Sequence, residues 1–173
     1  MTGSAGVRVR VVQLTGAIFE ALARQDLVAA NALSPVPLSA YLAGPENAGV
    51  WRRRHRQVSA DPVEADWVTG IVWDEDGRRS VGRAGFHGRP SPSGLVEIGY
   101  AIDPAFRRQG YATAALAALL DRAAREPSVR TVRLSIGPDN EASLALAHRF
   151  GFTRVGEQWD DEDGLELVHE RAA

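Results

Sequence analysis

The chain reads as a single α/β domain built on one sheet of mixed direction, and three observations predict that class. Residues 67–102 hold three strand-like runs separated by turn residues. Residues 112–125 carry the apolar spacing of an amphipathic helix. After that helix the texture alternates strand, helix and strand, an order that requires a crossover and a parallel neighbour. The expected sheet has about six to seven strands, mostly antiparallel, flanked by about four helices. No repeat or low-complexity linker divides the 173 residues, a length suited to one buried core.

Taken in order, residues 7–14 alternate Val7, Val9 and Val11 against Arg8 and Arg10, the period of an opening strand. Thr15 is placed to cap the next helix, whose Ile18, Leu22 and Leu27 fall on one side. Pro35 and Pro37 interrupt the chain before a short second helical stretch near residues 38–43, and Gly44-Pro45 marks another turn. Residues 46–59 read as a polar helix carrying Trp51 and an arginine cluster. Residues 67–73 are rich in β-formers and end at Asp74-Glu75-Asp76-Gly77, a hairpin-type turn, so residues 80–87 form the antiparallel partner. Residues 88–94 are a loop, and residues 95–102 are the third strand of the meander, closed by Pro104. The helix over 112–125 buries Leu116, Leu119, Leu120 and Ala123. A strand over 129–136, a helix over 140–149 and strands over 152–159 and 165–170 complete the chain. The crossover lays the strand at Val129 beside and parallel to the one at Leu95.

Composition removes several classes of function. There is no cysteine, which excludes disulfides, thiolate metal sites and a cysteine nucleophile. All 20 lysine-plus-arginine positions are arginine, so a Walker-type phosphate loop and Schiff-base chemistry are both excluded. Any phosphate must therefore be met by arginine or by backbone N–H groups. A net charge of −2 gives no general attraction to nucleic acid or acidic membranes. The longest apolar stretch, residues 111–120, is too short to span a bilayer, and no basic-then-apolar leader opens the chain, so a cytoplasmic location is expected. His55, His87, His148 and His169 lack metal-ligand spacing, and no metal is expected. Gly82, Gly85 and Gly88 do not form the glycine fingerprint of a dinucleotide site.

The segment from Ile98 to Thr113 carries the chemistry. A strand runs into Asp103-Pro104, then a loop with Arg107, Arg108, Gln109 and Gly110, then directly into a helix at Tyr111, Ala112 and Thr113. The first turn of a helix presents unpaired N–H groups and the positive end of its dipole. Gly110 lets the backbone approach a ligand, and small Ala112 and Thr113 leave space beside it. The combination suits a pyrophosphate without any lysine. Its plainer reading is a solvated helix start.

Arg107-x-x-Gly110-x-Ala112, after a strand closed by Pro104, resembles the coenzyme A signature of the GNAT family of N-acetyltransferases, Arg/Gln-x-x-Gly-x-Gly/Ala. Asn140-x-x-Ser143 and Arg149-Phe150-Gly151-Phe152 resemble that family's second landmark, one helix and one strand further on. The resemblance covers roughly residues 67–168. Glu97-Ile98-Gly99-Tyr100, with no tyrosine near the second landmark, resembles the branch acting on N-terminal amines of ribosomal proteins, which also holds enzymes for small amines and antibiotics.

The resemblance implies a GNAT-like fold in which two parallel strands splay apart to form a cofactor cleft. Residues 1–65 would form the acceptor side of the single domain and residues 66–170 the cofactor-binding core. Acetyl-coenzyme A (acetyl-CoA) would lay its pantetheine arm along the backbone of Ala101 and Ile102. Its pyrophosphate would rest on N–H groups from Arg108 through Thr113, with Arg107 and Arg108 adding charge and Arg149 counted among the cofactor-binding residues. A strand N–H near Tyr100 would polarise the thioester carbonyl. An amine, either a protein N-terminus or a small molecule, then attacks directly. Glu97 is the candidate base, acting through water, unless alternation leaves it on a wet face. The family's usual thiolate-protonating tyrosine position is Ala147 here, a departure that leaves Ser143, one turn earlier, as candidate donor or else a surface serine. Asn140 is either a pantetheine ligand or a helix cap, in competition with Asp139.

Other features carry two readings each. Residues 52–56, Arg-Arg-Arg-His-Arg, steer an anionic acceptor or ribosomal surface, or form a solvated helix face paired with Glu46 or Glu64. Trp51 and Trp67 line an acceptor pocket or belong to the core. Residues 160–164 are a turn, with a weaker reading as an attractor of cations. The main alternative to an enzyme is an acyl-CoA-binding sensor without turnover, and a third reading is an arginine-mediated RNA binder. Exposed strands leave room for a homodimer.

Overall fold

The computed structural model describes residues 6–173. Strand β1 (Val9–Val12) leads into helix α1 (Gly16–Ala23), whose Ile18, Phe19 and Leu22 are buried. Thr15 stands at the N-cap, but its side chain makes no capping bond. The helix expected to run on through Leu27 breaks instead. Gln25 takes φ 60°, and the Asp26 carboxylate accepts from the Ala29 N–H to start α2 (Leu27–Leu33). Asp26 competes for the backbone as a cap, which is why two short helices replace one.

Residues 38–43 are turns and not the helix expected there. Asn31 holds this segment down, its amide donating to the Leu38 carbonyl and its Oδ1 accepting from the Leu38 N–H. Leu38, Leu42 and Ala43 are nonetheless buried. Pro45 does not sit in a turn; it opens α3 (Pro45–Ala60), where its missing N–H costs nothing. Trp51 is fully buried, stacks near Phe19 and donates its indole N–H to the Leu42 carbonyl at 2.6 Å, so it is core. The arginine run is not a uniformly wet face: Arg54 is only 4% exposed.

A 3-10 turn over Pro62–Asp66 precedes β2 (Gly70–Asp74), which starts three residues later than the β-rich composition indicated, because Val68 makes only an isolated bridge to Phe86. The expected turn then leads to β3 (Arg79–Phe86), and a loop leads to β4 (Leu95–Ile102). Helix α4 (Tyr111–Arg125), β5 (Thr131–Ile136), α5 (Glu141–Arg149), β6 (Thr153–Asp160) and β7 (Gly164–Ala172) follow. The turn between the last two strands lies at the acidic residues, as expected.

The seven strands of the described residues lie in the order β1-β2-β3-β4-β5-β7-β6, with β4 and β5 the parallel pair and the other named pairs antiparallel. Among the described residues five α-helices flank the sheet: α1 and α2 replace one expected helix, and the helical stretch expected near residues 38–43 does not form. Period two sends alternate β4 side chains to opposite faces. Val96 and Ile98 join Leu116 and Leu119 of α4 in one core. On the other face, Ile71 and Trp73 pack with Phe19, Leu22 and Trp51. Among the described residues no helix is long and apolar enough to cross a membrane.

Candidate cofactor and acceptor site

The parallel pair is where the sheet opens. β4 and β5 are in register only from Leu95 opposite Thr131 to Glu97 opposite Arg133. β4 then runs to Ile102 and β5 to Ile136 without pairing, while β4 stays paired to β3 through Ile102. One edge of β4 therefore carries free backbone groups beside a gap. The His87 N–H donates to the Glu97 carbonyl, so the polar groups of Glu97 face β3. Alternation places those of Gly99 and Ala101 on the same side and turns those of Ile98 and Tyr100 toward the gap. This corrects the expectation for Ala101, whose backbone belongs to the ladder. It also qualifies that for Ile102, whose carbonyl already accepts from Arg107 Nε at 3.0 Å.

At the end of the gap lies a cavity of about 490 Å³. Tyr100, Ala101 and Ile102 of β4 wall one side, and Arg107, Arg108 and Gly110 of the loop close its end. Tyr111, Ala112 and Thr113 of α4 form its floor. Asn140, Ala142, Ser143 and Leu146 of α5 face it from beyond the gap. The loop reaches the helix through two left-handed residues, Arg108 at φ 61° and Gly110 at φ 91°. Gly110 is the N-cap; the first intrahelical bond runs from the Ala114 N–H to the Gly110 carbonyl. The N–H groups of Tyr111, Ala112 and Thr113 thus have no helical partner and line the cavity, a ready anion seat. Gln109 and Arg149 are not among the lining residues. Gln109 turns back to the Ala105 carbonyl, and Arg149 is exposed at the far end of α5.

Tyr111 anchors the start of α4 from below. Its hydroxyl donates to Asp74 Oδ2 at 2.7 Å, in a buried pair. Burial raises the Asp74 pKa, but bonds from the Gly77 N–H, the Tyr111 hydroxyl, the Asp76 N–H and Arg79 outweigh it and hold the carboxyl below its ordinary value. A depressed folded pKa adds stability above the unfolded value and loses it as pH falls through the folded one. Tyr111→Phe is accordingly expected to cost about 1–3 kcal/mol at neutral pH. That deficit should shrink below about pH 4, as the carboxylate of both proteins protonates. Urea melts of both proteins at the two pH values measure it.

The candidate catalytic groups divide between the two faces of the sheet. Asn140 caps α5, its Oδ1 accepting from the Ser143 N–H at 3.1 Å, which assigns the capping reading while the residue also lines the cavity. Ala147 is fully buried and does not reach the cavity. Tyr100 and Ser143 both line it, and the Tyr100 hydroxyl donates to Ser143 Oγ at 3.0 Å. Burial raises the Tyr100 pKa against the opposing Ser143 bond and keeps the phenol protonated. Sequence reading used only the Tyr100 backbone; its side chain could have been found from its period-two match with Ile98 and Ile102.

Glu97 lies at the vertex of the splay and points to the α3 face. Its side chain is 19% exposed, with His87 Nδ1 3.8 Å from Oε1. The His87 ring lies over Gly99, where an added Cβ would meet Nε2 at 2.7 Å. Although its side chain is 44% exposed, the ring sits among crowded protein groups. Desolvation lowers its pKa; Glu97 opposes that shift, and Arg54, Arg53 and Arg83 add to it. A neutral imidazole beside a carboxylate results, a pair that residue spacing alone could not reveal. Among the described residues no three metal-ligating side chains gather.

Residues 14–153 match the family described as Acetyltransferase (GNAT) domain. An uncharacterized N-acetyltransferase of Bacillus subtilis (strain 168), YjdG, is 32% identical over 82 residues, which are 47% of this chain and 49% of that protein. The match thus spans about half of that relative's length. RimJ of Mycobacterium smegmatis, solved with a coenzyme A disulfide, superposes with a TM-score of 0.64 at 20% identity, over 98% of this chain and 83% of that one. RimL, a ribosomal-protein alpha-N-acetyltransferase solved with coenzyme A, gives 0.65 at 18% identity over 95% and 94%.

Proposed function

Because the chain belongs to the GNAT family of acetyltransferase domains, we propose that it moves the acetyl group of acetyl-CoA onto a primary amine by direct attack. The observation that carries this reading is the conjunction of the open β4 edge with the unpartnered N–H groups at the start of α4, both on one cavity. The thioester supplies an activated acyl group, so no covalent enzyme intermediate is needed.

Tyr111, Ala112 and Thr113 hold the pyrophosphate by backbone N–H groups, and Arg108 adds charge. The Tyr100 N–H, turned into the gap, donates to the carbonyl oxygen as it gains charge. The amine enters from the α3 face, where Glu97 and neutral His87 take its proton. On the opposite face the Tyr100 hydroxyl, relayed through Ser143, returns a proton to the departing thiolate. Base and acid thus stand on the two faces of the sheet, both beside the gap.

A panel of primary amines read by released thiol tests this reading. Acetyl-CoA-dependent thiol release with at least one amine is expected, together with the N-acetyl product by mass spectrometry. Tight acetyl-CoA binding without release across the panel would instead return the sensor reading.

A further inference from the structure

Two arginines stand on the α3 face of the gap, Arg54 with Glu64 and Glu97 in its vicinity and Arg83 with Asp163 in its vicinity. Arg54, 4% exposed, donates to Thr69 Oγ1 at 3.0 Å, Gln57 Oε1 at 3.0 Å and the His87 carbonyl at 3.2 Å, all neutral acceptors. Desolvation and its arginine neighbours lower its pKa to about 10, so it keeps its charge at neutral pH. Arg83, on β3 opposite Ala101 and half-buried, uses Nε on Asn47 Oδ1 at 2.6 Å and leaves both terminal nitrogens of its fork without a protein partner. No carboxylate oxygen of the described residues comes within 4.0 Å of either guanidinium. Arg53 differs: it is neutralised by Glu162 at 2.7 Å, which ties α3 to the turn between β6 and β7.

A structural arginine is ordinarily satisfied on its fork, because leaving a half-buried cation unmatched is costly. Arg83 is held by one nitrogen and presents the bidentate edge that suits carboxylate or phosphate oxygens. Four residues on, one past the end of β3 where the His87 N–H still bonds the Glu97 carbonyl, stands His87 beside Glu97, where the amine would lose its proton.

We propose that Arg83 is an anion-recognition residue for the acceptor, so that the favoured substrate is an amine carrying a carboxylate or phosphate near its amino group. This inference rests on the acyl-transfer reading above and names the class of its acceptor.

Matched acceptors test it: β-alanine and γ-aminobutyrate against their amides, a peptide beginning Ser-Glu against one beginning Ser-Gln, and phosphoethanolamine against ethanolamine, with spermidine as the cationic extreme. In the wild type the anionic member of a pair should be favoured in kcat/KM by on the order of 10- to 100-fold, through KM. The carboxylate and phosphate arms separate the two sources of the anion. Arg83→Gln should collapse that ratio toward unity, and Arg83→Lys should restore part of it, with circular dichroism and acetyl-CoA affinity confirming the fold. Equal use of anionic and neutral members, or a ratio unmoved by Arg83→Gln, overturns the anion site while leaving acyl transfer standing. Failure to bind acetyl-CoA sinks the acyl-transfer reading instead. Calorimetric titration of N-acetyl-β-alanine against its amide, wild type beside Arg83→Gln, reads the anion site with no turnover at all.

Discussion

The Arg107→Ala, Gly110→Trp double variant is expected to lose acetyl-CoA binding by at least about 100-fold while remaining folded. Gly110 holds φ 91° at the N-cap of α4, so any side chain there meets a left-handed backbone costing about 1–2 kcal/mol. The strain is local, since the only atom of the described residues that a Cβ would approach is Val7 Cγ2 at 3.6 Å. An indole at this position stands before the N–H groups of Tyr111, Ala112 and Thr113. Charge-assisted bonds to a phosphate are worth about 1.5–3 kcal/mol each, so blocking two of them removes two or more orders of affinity. Arg107→Ala adds release of the Ile102 carbonyl, which loosens the end of β4 beside the cavity. Isothermal calorimetry with acetyl-CoA, beside far-UV circular dichroism, gives the answer. Unchanged affinity in the folded variant would mean that the cavity is not the pyrophosphate seat, and the Arg107-x-x-Gly110-x-Ala112 run would have to be reread as a solvated helix start.

Glu97→Gln is expected to lower kcat by about 10²- to 10⁴-fold near neutral pH with little change in acetyl-CoA affinity. The substitution keeps the volume and the strand pairing but removes the proton acceptor at the vertex of the splay. The remaining rate should then follow the fraction of free amine, climbing about tenfold per pH unit below the amine's own pKa. His87 stays neutral in the same place, so a variant retaining most of its rate would show that the imidazole, not the carboxylate, takes the proton. His87→Ala in the Glu97→Gln background separates the two: a further fall assigns the residual proton transfer to His87.

Much of the architecture was legible because its causes are local. The period-two run of Leu95–Ile102 and the apolar face of the following helix state their own conformations, and both were read within a residue. The errors fall where a side chain competes with the pattern. Asp26 splits the first helix, and Asn31 holds residues 38–43 as turns although their apolar residues are buried as a helix face would be. At the candidate site, the unpaired N–H groups at the start of α4 were readable because a helix start leaves them orphaned whatever stands elsewhere in the chain.

By itself, then, the sequence determined the order of the strands and of the helices from α3 onward, the place where a helix begins at a glycine, and the exclusion of cysteine and lysine chemistry. These follow from residue type and from spacings of a few positions. Only the tertiary structure decided that Ala101 turns its backbone into the ladder, that Tyr100 meets Ser143 across 43 positions, and that Arg83 leaves its fork free beside Asn47. The physical reason is that periodicity says which residues share a face but not what stands opposite that face. The partner is chosen by strand register and by the splay of β4 from β5, both set through contacts distant in the chain.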